Sequence, residues 1–204
     1  MNKIRVWDPF IRIFHWSLVV AFAIGYLSGD EESLLHIYSG YTVLGLVIFR
    51  LLWGVIGTKY ARFTNFIYSP STVFSYLKNL IEGQPSHYIG HNPAAGWMIV
   101  ALLLCLVVVT VSGLKVYAIE EGLGPLAKSN SELVIISKAY ADRDEDEDDG
   151  ENGAEEFWEE IHEASSNIML FLIFLHIAGV AVSSYLHKEN LVKAMITGTK
   201  VKQD

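Results

Sequence analysis

"EEFWEEIHEASSNIMLFLIFLHIAGVAVSSYLH", Glu155–His187, decides how the rest of the chain is read. No residue between Glu163 and Lys188 carries a formal charge. A helix needs roughly 20 apolar residues at 1.5 Å each to cross about 30 Å of hydrocarbon, and this run supplies them. It also carries two histidines, His162 and His176, that a lipid-facing helix does not need. Fourteen helical residues advance about 21 Å and turn about 1400°, within about 40° of whole turns. The two imidazoles therefore share one face of the helix at two depths.

Working outward, three more stretches are long and nearly uncharged: Phe14–Leu27, Ile37–Gly57 and Ala94–Leu114, with Ile168–Leu186 as the core of the fourth. Pro9 fits a first helical position and lets the first helix begin near Asp8. The first run is not read as a secretory signal, because no small-residue cleavage site follows it and another span comes soon after. The expected fold is an all-α membrane protein: one domain over residues 1–204, with spans at about 9–29, 36–57, 94–118 and 160–187 and an acidic loop at about 119–158. Cys105 is the one cysteine, so an intramolecular disulfide and a CxxCH haem attachment are both excluded. No nucleophile–base constellation, phosphate loop or nucleic-acid signature is present.

Charge orients the spans. With the N-terminus, the connection 58–93 and the C-terminus on one side, that side holds eleven of the fifteen Lys and Arg but only four of the 23 acids. The positive-inside rule then puts both termini in the cytoplasm. In the inner connection, Ser69, Pro70 and Gly83 bracket a short helix whose Val73, Phe74, Leu77, Leu80 and Ile81 share a face. It either lies in the membrane interface or packs on the end of the bundle. In the outer connection, "ADRDEDEDDGENGAEEFWEE" repels itself and has little to bury, so Asp142–Gly153 is expected to be poorly ordered or held by a partner. The preceding "NSELVIISKAY" suits a short helix or a strand.

The seven histidines are His15, His36, His87, His91, His162, His176 and His187. His15 begins an outward-running span and falls at the inner depth of His176. His36 begins an inward-running span and falls at the outer depth of His162. Two pairs result, each with one member from the fourth helix, as in bundles that build cofactor sites from facing helices. Two neutral imidazoles across an apolar slot suit the axial positions of a haem iron, whereas zinc asks for about four protein ligands. Gly25, Gly40, Gly45, Gly113 and Gly179 leave room for a flat macrocycle, or equally for close helix packing. Arg12, one turn before His15, is the first candidate to meet a haem propionate. Arg50 and Lys188 are weaker ones. His91 reads as a cap or surface contact at the start of the third helix, and His87 and His187 as solvated or interfacial.

"RVWDPFIRIFHW" (Arg5–Trp16), "HIYSGYTVLGLVIFRLLWGVIG" (His36–Gly57), "RF" (Arg62–Phe63), "GHNPAAGW" (Gly90–Trp97) and "VSGL" (Val111–Leu114) resemble the bacterial cytochrome b561 family, which includes the b-type cytochrome subunit of nickel–iron hydrogenases. The likeness covers nearly the whole chain. It implies a four-helix transmembrane bundle with two haem b stacked across the membrane, ligated by His15, His36, His162 and His176. The absence of a fifth helix points to the short, freestanding type, and the acidic block lies outside the family pattern. The expected function is electron transfer across the bacterial cytoplasmic (inner) membrane between quinone or quinol and a periplasmic carrier, such as a c-type cytochrome, docking on the acidic loop. The competing readings are an oxidoreductase acting on a small species such as superoxide, which an acidic face would repel, and a haem-containing anchor subunit of a larger complex.

Overall fold

The computed structural model describes residues 3–29, 33–84, 86–127 and 148–201, without the side chains of 148–152 and Val201. Helix α1 spans Pro9–Leu27 and α2 Leu34–Ile56. Asp8 starts α1: its Oδ1 accepts from the Ile11 N–H at 3.1 Å. Its second oxygen accepts from Thr58 Oγ1 at 2.7 Å and from Trp53 Nε1 at 3.3 Å. The buried carboxylate thus joins the start of α1 to the end of α2. At the other end of the pair Gly25 meets Ser39, so α1 and α2 run antiparallel. A Cβ on Gly25 would lie 2.9 Å from Ser39 Oγ, which makes this glycine a close-packing residue. Gly40, Gly45 and Gly179 instead face open space.

A 3-10 turn at Phe63–Asn65 and helix α3, Pro70–Ile81, follow. Ser69 caps α3 by accepting from the Thr72 N–H at 3.3 Å. Phe74, Leu77 and Ile81 are exposed while Tyr76 is buried. The apolar face of α3 therefore points away from the protein, which favours the interfacial placement over packing on the bundle.

Helix α4 spans Pro93–Glu120 and α5 Asp148–Leu186. With 39 residues α5 is about 58 Å long, nearly twice the hydrocarbon thickness. Of Asp142–Gly153, expected to be poorly ordered or held by a partner, residues 148–153 are helical. Residues 142–147 and the "NSELVIISKAY" segment lie outside the described residues. Lys188, with φ 51°, turns the chain out of α5 into α6, Leu191–Thr197. Asn190 caps α6 through Lys193 N–H at 2.7 Å, and Gly198, with φ 81°, ends it.

Two strands were not foreseen. β1, Lys3–Arg5, pairs antiparallel with β2, Thr199–Val201, in the register Ile4 opposite Lys200. Both ends of the chain therefore lie on one side. Beneath this ribbon Val6, Trp7 and Ala194 form a small core with Ile4, Tyr60 and Met195 against it.

Among the described residues, α1, α2, α4 and residues 153–186 of α5 are long and apolar enough to cross a membrane. Their large side chains face outward: Leu27, Val55, Ile56 and Phe174 are each at least two-thirds exposed. So much exposed apolar surface suits lipid and not water. The helices divide between two compact units, Met1–Leu106 with Met169–Asp204, and Val107–Ile168.

Candidate haem sites

Within the first unit, α1 presents His15 and α5 presents His176, with ring centroids 6.4 Å apart and planes inclined by 49°. That separation can be tested against an iron. Metal–nitrogen bonds of about 2 Å, plus about 1 Å from each nitrogen to its ring centre, put two axial imidazoles roughly 6 Å apart. The pair fits a bis-histidine metal. His15 Nδ1 is buried without a hydrogen-bond partner among the described residues.

Beside His15 is a cavity of about 80 Å³ lined by Ile11, Phe14, Arg50, Tyr60 and His91 among others. It is well below the roughly 300 Å³ at which small-molecule pockets begin, so the side chains rather than the void mark the position. Arg50 is 4% exposed, and its Nη1 has no partner among the described residues. Its guanidinium lies 4.9 Å from the Phe63 ring centre and 5.7 Å from that of Phe66. A buried cation held over two rings with one donor unspent is built for an anion. Arg12, ranked first from the sequence, donates its Nη1 to the Ile196 carbonyl and clasps α6, while its Nε is also buried with no partner among the described residues. Lys188 lies in the turn after α5, with Glu189 and Asn190.

His36 and His162 belong to different units, and each meets a main-chain carbonyl. His36 Nδ1 is 2.9 Å from the Gly25 oxygen in the last turn of α1. Helix ends leave carbonyls without intrahelical donors. Gly29 N–H, which would serve Gly25, bonds instead to the Tyr26 oxygen, and the histidine takes the vacated acceptor. His162 Nδ1 is 3.0 Å from the Val109 oxygen and 3.2 Å from Ser112 Oγ. A carbonyl can only accept, so both histidines carry their proton on Nδ1, and Nε2 holds the lone pair that a metal needs.

Of the other histidines, His91 departs from its reading as a cap. Asn92, not His91, caps α4, its Oδ1 accepting from the Ala95 N–H at 2.8 Å. His91 stacks between Trp7 and Phe66, at ring distances of 4.5 and 4.7 Å. Burial, then the Arg50, Lys200 and His176 charges, push its pKa down to about 3. His87 Nε2 is 2.9 Å from Glu189 Oε1, while Lys200 Nζ holds Oε2 at 3.1 Å. Burial raises the Glu189 pKa, but the His87 hydrogen bond and the Lys200 charge outweigh it and leave it below its ordinary value. The His187 ring lies 5.4 Å from that of His87. In the second unit Glu120, Glu155 and Glu159 bring carboxylate oxygens within 4.8 Å of one another at the ends of α4 and α5.

The family model of prokaryotic cytochrome b561 matches residues 6–198. The chain belongs to that family. Membership makes it a bacterial membrane protein of the b-type cytochromes, with b-type haem as cofactor. The chain is also similar to a probable Ni/Fe-hydrogenase B-type cytochrome subunit of Bradyrhizobium diazoefficiens, at 25% identity over 150 residues. That alignment covers 59% of this cytochrome and 60% of the relative, so the chain spans less than two-thirds of the relative's length. No solved structure matches.

Proposed function

We propose that the chain is a two-haem conduit carrying electrons across the bacterial cytoplasmic membrane between the quinone pool and a redox protein on the outer face. The observation that carries this reading is the 6.4 Å approach of the His15 and His176 rings, which suits an iron between them. Bound haem supplies one-electron chemistry without proton transfer at the metal. The chain's own residues do the rest. His15 and His176 hold the inner group, and Arg50 meets a propionate there with its unspent Nη1. The sequence assigns His36 and His162 to the outer group, and each has its tautomer set within its own unit, by the Gly25 and Val109 carbonyls.

Quinone exchange is supported by a groove of about 530 Å³ along the end of α5, walled by Ile177, Val180 and Ala181 and ending at Ser184 and Glu189. Val180 is one turn beyond His176, and Glu189, in contact with His87, puts polar groups at the groove's end. Both termini lie in the cytoplasm on this reading, because the basic residues gather on the terminal side. The acidic block then faces outward and steers a basic carrier such as a c-type cytochrome. A larger assembly is the second reading, favoured by similarity to a protein named as a hydrogenase cytochrome subunit.

The test is a pyridine haemochrome assay on purified protein. Two b-type haems per chain are expected, with none covalently bound, and one haem per chain would reject the pairing. Reduction of the haems by a short-chain quinol, abolished by bulky substitutions at Val180 or Ala181, tests the quinone side.

A further inference from the structure

Helix α4 contributes none of the four histidines, yet its Ser112–Gly113 step is shaped around one of them. Ser112 is 1% exposed. Its Oγ lies 2.8 Å from the Val108 carbonyl and 3.1 Å from that of Val109, so the hydroxyl proton is spent on its own helix. The oxygen's lone pairs are then left to accept, and His162 Nδ1 lies 3.2 Å away. The same N–H is shared with the Val109 carbonyl at 3.0 Å.

Gly113 is the residue whose side chain would lie over the Val109 carbonyl, because side chains four positions on in a helix lean back across the preceding turn. A Cβ there would stand 2.9 Å from His162 Cε1 and 3.2 Å from Nδ1. No such atom fits without moving the ring. The glycine opens the carbonyl to the imidazole, and the serine adds a second acceptor beside it. Small residues also serve close packing between membrane helices. Packing by itself, however, does not ask for a buried hydroxyl whose proton is turned away so that its lone pair meets a ring nitrogen.

We propose that Ser112 and Gly113 are positioning residues for the outer haem: together they hold His162 in one orientation and one tautomer and strengthen it as an iron ligand. The proposal rests on the reading of His162 as a ligand. An imidazole whose N–H is held by acceptors is a better donor through its other nitrogen, and such supporting contacts change metal affinity by roughly ten- to a hundredfold. A stronger donor favours ferric over ferrous iron and lowers the reduction potential. Removing the hydroxyl leaves the Val109 carbonyl in place, so the tautomer persists and the donor weakens.

The experiment is a potentiometric titration with low-temperature EPR on the full-length haem-loaded protein. Ser112→Ala is expected to keep the parental haem content, to move one midpoint positive and to alter one low-spin ferric signal. Ser112→Thr, which retains the hydroxyl, should return both toward the parent. Gly113→Ala should release the same haem that His162→Ala releases, roughly ten- to a hundredfold more readily than the parent does. Parental midpoints and spectra in Ser112→Ala, in a protein that loses haem on His162→Ala, would overturn the positioning role alone. So would equal loss of both haems in Ser112→Ala and Ser112→Thr, which marks a packing residue. If Ser112→Ala does not accumulate, Gly113→Ala decides, and parental haem content there would overturn the proposal. Unchanged haem content in His162→Ala would remove the ligand reading itself, and the proposal with it.

Discussion

The two sets of histidines are held in different ways. His36 and His162 each rest Nδ1 on a carbonyl of a neighbouring helix, whereas His15 Nδ1 is buried without a partner among the described residues. Beside His15 the structure provides a cation instead: Arg50, buried and with one donor unspent. Membrane interiors make each unsatisfied polar group expensive. Two histidines, each within its own unit, are therefore oriented in advance through the main chain. The site at His15 keeps unspent polar groups, which an anionic, metal-bearing cofactor would satisfy on arrival.

The sharpest way to break this comparison is to delete the ligands. His15→Ala and His176→Ala should each remove the inner haem, and His36→Ala and His162→Ala the outer one, halving haem content each time by haemochrome assay. Loss of the same haem from His15→Ala and His36→Ala would show the two sites to be wrongly divided. The inner site should also lose more apo-protein on deletion of its haem, since Arg50 then remains buried and unpaired.

The cation comes next. Hydrogen bonds to charged groups contribute about 1.5–3 kcal/mol, so Arg50→Gln should weaken inner haem binding roughly ten- to a hundredfold and move that haem's midpoint negative. Arg12→Gln should leave haem content alone, because its partner is the Ile196 carbonyl. Haem retention on detergent dilution separates the two variants, and the reverse ranking would make Arg12 the propionate ligand after all.

A smaller effect is expected from the acidic block. Converting Asp142, Asp144, Glu145, Asp146, Glu147, Asp148, Asp149 and Glu151 to amides should slow electron exchange with a basic carrier at low salt and leave spectra unchanged. With a Debye length of about 8 Å at physiological salt, added salt should erase the difference. A rate indifferent to both charge and salt would mean that the carrier docks elsewhere.

The smallest effect concerns Glu189. Its folded pKa is lowered below the ordinary 4.5, so its contribution is present above that value and fades as pH falls through the depressed one. Thermal stability of the parent should drop across that acidic window more than that of Glu189→Gln. Parallel pH profiles would show that the His87–Glu189–Lys200 contacts do not stabilise the fold.

What the sequence made legible was whatever is periodic or long. The uncharged runs marked the spans, and Asp8–Pro9 and Ser69–Pro70 marked helix starts. What stayed hidden depends on which helix faces which. Arg12 and Arg50 are both arginines near an inner histidine, and only the packing of Phe63 and Phe66 against α2 separates them. The Gly25 and Val109 acceptors are main-chain atoms, which every residue carries and no motif marks. Ser112–Gly113 was visible as part of "VSGL", but nothing in those letters says that a histidine fifty residues on fits against it. Strands of three residues, such as Lys3–Arg5 and Thr199–Val201, are too short for alternation to register.

That ribbon has a consequence for synthesis. β1 leaves the ribosome long before its partner, since all four spans lie between Ile4 and Lys200. Its closure cannot begin before the fourth span is in place, and joining such distant segments is among the slower steps available to a chain. Val6, Trp7 and Ala194, which pack beneath it, come together on the same schedule. Until β2 and the α6 that precedes it have been made, Val6 and Trp7 have no Ala194 to pack against.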